Sequence, residues 1–145
     1  MKRAAGFTLL ELLVVLVLMA MITGLSVPLI SRALPGQQLQ AASRDLLAGL
    51  RRARDDAVFQ RRDVTLAVDL NRHDFRISGD PHPHAIAPKV EIALVVADAA
   101  PDGRSGKFHF YPDGSSSGGR VTVARNGRRI AIDVDWLTGL AHVQH

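Results

Sequence analysis

The chain has 145 residues, 47% of them hydrophobic and 22% charged, which leaves room for one domain and an appendage but none for a two-domain enzyme. So high an apolar fraction excludes disorder along the whole length, and the absence of cysteine removes disulfides and thiolate chemistry. The net charge is +4, yet residues 64–145 hold nine Lys/Arg against nine Asp/Glu, so all the excess lies in the first 63 residues.

Phe7 to Ile30 is the one strongly biased stretch, and Leu12 to Ile22 runs apolar without a break. As a helix, residues 7–30 reach about 36 Å, enough for a hydrocarbon core of about 30 Å. Lys2 and Arg3 precede the run and would stay cytoplasmic, placing the remainder of the chain on the far side. Three readings compete: a plain single-pass anchor, a cleaved secretory signal, and a helix that uses Glu11. The signal reading needs small residues at a cleavage site, and Ser31-Arg32-Ala33-Leu34-Pro35 is a poor one. A carboxylate within the membrane costs about 2.5–3.5 kcal/mol on insertion scales, so Glu11 needs a partner that neither of the first two readings supplies.

Gly6-Phe7-Thr8-Leu9-Leu10-Glu11, between a short basic leader and an apolar helix, resembles the processing motif of type IV pilins and type II secretion pseudopilins. The resemblance implies that a membrane-embedded prepilin peptidase removes the leader, residues 1–6, by cutting after Gly6, and then methylates the new amine of Phe7. It also implies an assembly role for Glu11, which would pair with the Phe7 ammonium of a neighbouring subunit as helices bundle. Each charge would then relieve the other's desolvation.

Gly24 and Pro28 predict a kink or a melted stretch, and Pro35-Gly36 a second break. Helical periodicity resumes within residues 31–62. Leu39, Leu46, Leu50, Ala53 and Ala57 share one face, with Leu47 and Val58 beside them. The other face is charged, with Arg51–Asp55 and Arg52–Asp56 spaced for salt bridges. From residue 63 the period becomes two. Strands are expected at 64–70, 73–78, 90–97, 107–111, 120–125, 128–136 and 140–143, with loops over 79–85, 99–106 and 112–119. Asn126-Gly127 is the strongest hairpin signal in the chain. The fold class is therefore α+β. A long helix, half membrane-borne and half amphipathic, should pack on a β-rich domain, 63–145, of about seven short antiparallel strands.

Three further runs narrow the resemblance. Leu50–Ala57, Phe108–Val121 and Ile132–Gly139 are similar to the H-type minor pseudopilins of type II secretion. Residues 79–106 match no such pattern. What the resemblance implies is a structural subunit, not an enzyme, with no cofactor. It would be single-pass in the inner membrane, its N-terminus cytoplasmic and its domain periplasmic, and would join other pseudopilins, major and minor, at or near the tip of a short filament. The alternative is a minor type IV pilin of the kind that binds DNA, through Arg125, Arg128 and Arg129 around the hairpin. Few aromatics are available to stack on bases, and nucleic acid is not the expected partner.

Two patterns are set aside. Gly114-Ser115-Ser116-Ser117-Gly118 fits a nucleophile elbow in spelling, but that motif needs a helix after it, and a strand follows here. His82 and His84 alternate with prolines in a loop where nothing fixes a third ligand, so no metal site is expected.

Overall fold

The computed structural model describes residues 9–144, with the side chains of all but 22–35. The chain divides into two compact units, Met1–Pro35 and Gly36–His145. One helical element, α1 (Leu9–Gln60), contributes to both. Gly24, Pro28 and Pro35-Gly36 all fall inside it, so the expected break at Pro35-Gly36 does not end the helix and no stretch of it is melted. A proline deletes one backbone donor, and the remaining bonds of the turn hold. The helix stops at Arg61, whose φ of 51° is left-handed, and the Arg62 N–H turns back to the Ala57 carbonyl at 3.3 Å.

Within Gly36–His145, α1 buries a stripe at intervals of three and four: Leu39, Ala42, Leu46, Leu50, Ala53 and Ala57. Of the two expected helix salt bridges, Arg52–Asp56 forms at 3.8 Å, while Asp55 lies 3.7 Å from Arg54 rather than on Arg51. Such exposed pairs contribute about 0–1 kcal/mol, so the packing of the stripe dominates.

The stripe shares one core with two antiparallel sheets. The first contains β1 (Val64–Asp69), β2 (Asp74–Ile77), β3 (His84–Ala85), β5 (Asp98–Ala99) and β6 (Ser105–Phe110), in the order β3-β2-β1-β6-β5. The second contains β4 (Glu91–Val95), β7 (Gly119–Arg125), β8 (Arg128–Val134) and β9 (Ala141–Gln144), in the order β4-β7-β8-β9. Alternate residues point inward. Val64, Leu66, Val68, Phe108 and Phe110 from the first sheet join Val121, Val123, Ile132 and Val134 from the second in one core with the helix stripe. Gly49 sits where α1 crosses β2. A Cβ there would stand 2.5 Å from Cε2 of Phe75, so the close approach of helix and sheet requires glycine.

The described residues contain nine strands where about seven are expected. The two additions, β3 and β5, are two residues each and lie at positions that read as turns. Each forms against a strand that fixes it by a side chain. The His84 ring stacks on Phe75 with centroids 4.8 Å apart, and Asp98 meets Nε2 of His109 at 2.9 Å. The apolar run at 90–97 is a strand over Glu91–Val95 only, and it pairs with β7 in the second sheet. Residues 79–106 therefore leave the first sheet at β3, supply an edge of the second as β4, and return to the opposite edge of the first as β5. The β7–β8 hairpin forms as expected, with Arg125 opposite Arg128 and both turn residues at positive φ, 51° for Asn126 and 76° for Gly127.

Candidate functional site

Gly6 and Phe7, the expected cleavage and methylation positions, lie outside the described residues. Glu11 stands in the first turn of α1 and is exposed, as is every residue from Leu9 to Met21. The exposure runs from 85% at Leu9 to 46% at Val15 and has no protected side. A helix apolar all round needs cover from lipid or from other apolar helices. Among the described residues no helix is long and apolar enough to cross a membrane. The expected span, 7–30, includes residues 7–8 and the side chains of 22–30, which lie outside the description.

In the second unit, the three runs singled out by their sequence converge on one place. Arg54 of α1 donates from Nε to the Thr138 carbonyl at 2.8 Å. The loop after β6 bonds to the end of β8. Ser116 donates its backbone N–H to the Trp136 carbonyl at 2.8 Å and its hydroxyl to the Asp135 carbonyl at 3.0 Å. Asp135 then organises the β8–β9 turn. Its Oδ1 accepts from Leu137 N, Thr138 N and Thr138 Oγ1 at 3.0, 2.8 and 2.9 Å, and its carbonyl accepts the Gly139 N–H at 2.9 Å. The Thr138 backbone N–H chiefly, with its hydroxyl and the Leu137 N–H, holds the Asp135 carboxyl below its ordinary pKa. Gly139, at φ 63°, lets the turn close: a Cβ would run into the Gly114 carbonyl and stand 3.2 Å from the Arg54 side chain. Arg54, Ser116 and Asp135 lie one in each of the three runs that carry the family resemblance. The spacing Asp-x-x-Thr-Gly is the local signal that marks Asp135 as a turn former.

This arrangement removes the serines from consideration as nucleophiles. Ser116 is buried and committed to the Asp135 carbonyl, and Ser115 donates to Asp113 Oδ1 at 2.6 Å. The histidines are likewise placed. His84 faces Asp80 at 3.4 Å, and Arg52 reaches the same carboxylate at 3.3 Å. The described residues contain no group of three or more His, Cys, Asp or Glu placed to hold a metal ion.

The three hairpin arginines do not form one surface. Arg125 and Arg128 are cross-strand partners, on the same face of their strands as Val123 and Ile130. Arg129, opposite Ala124, is on the other face. Arg125 is half-buried, with one guanidinium nitrogen enclosed and without a hydrogen-bond partner. A phosphate backbone contacting this hairpin would meet the two faces separately.

Comparison with known proteins agrees with this organisation. A family model described as Type II transport protein GspH matches residues 42–138, and one described as the prokaryotic N-terminal methylation motif matches residues 1–27. The chain is 27% identical over 141 residues to Type II secretion system protein H of Xanthomonas campestris pv. campestris, covering 95% of this chain and 82% of that one. Its fold is similar to the minor pseudopilin EpsH from the type 2 secretion system of Vibrio cholerae, with a TM-score of 0.57, 8% identity, and 74% of this chain and 96% of that one covered. It is also similar to the type IV minor pilin FimU of Pseudomonas aeruginosa, with a TM-score of 0.56, 19% identity, and 75% and 90% covered. At these identities the two structures speak for the fold alone.

Proposed function

The chain belongs to the GspH family of type II transport proteins, and we propose that it works as a minor pseudopilin of type II secretion, a structural subunit whose helix builds a filament and whose globular unit meets its neighbours. The family match over residues 42–138 carries this reading, and the methylation-motif match over 1–27 extends it to the N-terminus.

In this reading the prepilin peptidase cuts after Gly6, removes Lys2 and Arg3, and methylates Phe7. The helix of residues 7–30 stays in the inner membrane until assembly, with the globular unit in the periplasm. The all-round apolar surface from Leu9 to Met21 then exchanges lipid for the helices of other pseudopilins. Glu11 and the Phe7 amine neutralise each other between neighbours, which lowers the cost of carrying either charge into the bundle. The protein has no catalytic step to perform; Ser116 and Asp135 serve the turn. The separation of Arg125 and Arg128 from Arg129 argues against DNA binding at the hairpin.

Mass spectrometry of the membrane-extracted protein tests the processing: the mature chain should begin at methylated Phe7, and Gly6→Leu should retain the leader. A mature chain beginning after residue 30 would restore a secretory signal and end this reading. For assembly, Glu11→Ala should insert and be cleaved but fail to crosslink to the other pseudopilins. Wild-type crosslinking together with wild-type secretion would show that Glu11 is no assembly contact.

A further inference from the structure

The β8–β9 turn combines rigidity with apolar exposure. Trp136, Leu137 and Leu140 are 66%, 63% and 54% exposed, although the turn that carries them is fixed by Asp135, Ser116 and Arg54. Trp136 is the only tryptophan in the chain. It also lines a surface groove of about 630 Å³ together with Val95, itself 69% exposed, and Gly118 and Gly119. An exposed aromatic on an immobilised backbone loses little freedom when a partner covers it, and such anchors supply much of the energy at protein interfaces.

The charges along the groove indicate what would fill it. Arg120 donates to both carboxylate oxygens of Asp133, at 2.9 Å for the second bond, so those two charges cancel. Asp135 takes its hydrogen bonds from neutral donors, the Leu137 and Thr138 groups, and among the described residues no Lys or Arg pairs with it; His142, which lines the same groove, is the charged neighbour that acts on it. The groove is therefore apolar with an acidic wall, complementary to an apolar side chain flanked by a basic one and unsuited to a nucleic-acid backbone.

The geometry points to the Trp136–Leu137 turn and its groove as the surface by which the globular unit docks onto the globular domain of a neighbouring pseudopilin, taking an apolar side chain of that domain beside a basic residue. This assignment rests on the secretion-subunit reading above and adds to it a contact away from the helix.

The single tryptophan gives a direct test. The processed full chain, labelled with 5-fluorotryptophan and held in detergent, has one ¹⁹F resonance. The purified major and minor pseudopilins of the same secretion system are added one at a time. The resonance should move or broaden with one of them, and less so at high salt. Trp136→Ala, with an unchanged melting temperature, should weaken that association by about ten-fold or more. If a complex forms while the resonance stays in place, the helix alone carries assembly and the docking surface is wrong, with the secretion-subunit reading intact. If no pseudopilin associates at all, that reading fails and the surface falls with it. A resonance that moves on concentrating the chain alone, or only on adding DNA or a secreted protein, assigns the groove to another occupant and overturns the proposal.

Discussion

Two stretches of one helix solve opposite problems. From Leu39 to Ala57 the apolar residues recur every three or four positions and disappear into the core, while the charged side faces water. From Leu9 to Met21 the apolar residues occupy every side, and every one of them is exposed. The first stretch finishes its folding with residues of its own chain. The second cannot, because a cylinder apolar all round has no single face to bury. What separates them is periodicity rather than hydrophobicity: the first pattern encodes a fold and the second an environment.

The sharpest way to break this comparison is a pair of matched truncations. Leu50→Ala should destabilise the globular unit by about 2–5 kcal/mol, since Leu50 is fully buried in the core. Leu13→Ala, at a position 55% exposed, should leave its melting temperature unchanged. Thermal unfolding of both full-length variants in the same detergent decides; equal losses would mean that the two stretches are not energetically distinct.

Next in size comes Gly139→Ala. It forces a side chain into a left-handed position against the Gly114 carbonyl and should cost about 1–3 kcal/mol in the same melt. Arg54→Ala deletes the bond from the helix to the Thr138 carbonyl without opening the core and should cost about 1 kcal/mol. Hydrogen exchange should then rise at residues 135–140 before it rises at 64–69.

The last expectation concerns acid. Asp135 is held below its ordinary pKa chiefly by the Thr138 backbone N–H, Asp133 by its bond from Arg120, Asp113 by the Ser115 hydroxyl, and Asp80 by the His82 N–H. A carboxylate with a depressed folded value contributes stability that is complete above its unfolded value and is lost as pH falls through the folded one. These groups should leave the melting temperature level from pH 7 to 5 and lower it below about pH 4. Asp135→Asn should remove part of that acid dependence while lowering the neutral-pH melting temperature slightly. A melting temperature that falls already between pH 7 and 5 in the wild type, and equally in Asp135→Asn, would locate the pH dependence elsewhere.

Legibility in the sequence followed distance along the chain. The helix stripe, the alternation in β1 and the Asn126-Gly127 hairpin each depend on neighbours a few residues away, and each formed where its pattern placed it. The edge strands β3 and β5 did not read as strands, because two residues show no alternation and their anchors, Phe75 and His109, lie nine and eleven positions off. The apolar run at 90–97 announced a strand but not its partner, which is β7 across the intervening β5 and β6. The prepilin-like motif was plain because it is six residues long and contiguous. The cluster of Arg54, Ser116 and Asp135 was not, since its members are remote in sequence and each is an ordinary surface residue type.

The bond from Arg54 to Thr138 closes a loop of 84 positions, and the helix stripe beneath it is finished only by strands that end at Gln144. An amphipathic helix made first must therefore wait with its greasy side uncovered until Gln144 has emerged. Contacts so widely separated slow the search for the native state, and for β-rich topologies of this kind folding takes about milliseconds to seconds. During that interval β4 and β9, edges of the second sheet, are open to the wrong strand of another chain. In the proposed single-pass topology, tethering at one end restricts such a chain: it keeps each nascent copy at the surface where it emerged, and limits the neighbours it can meet before β9 arrives.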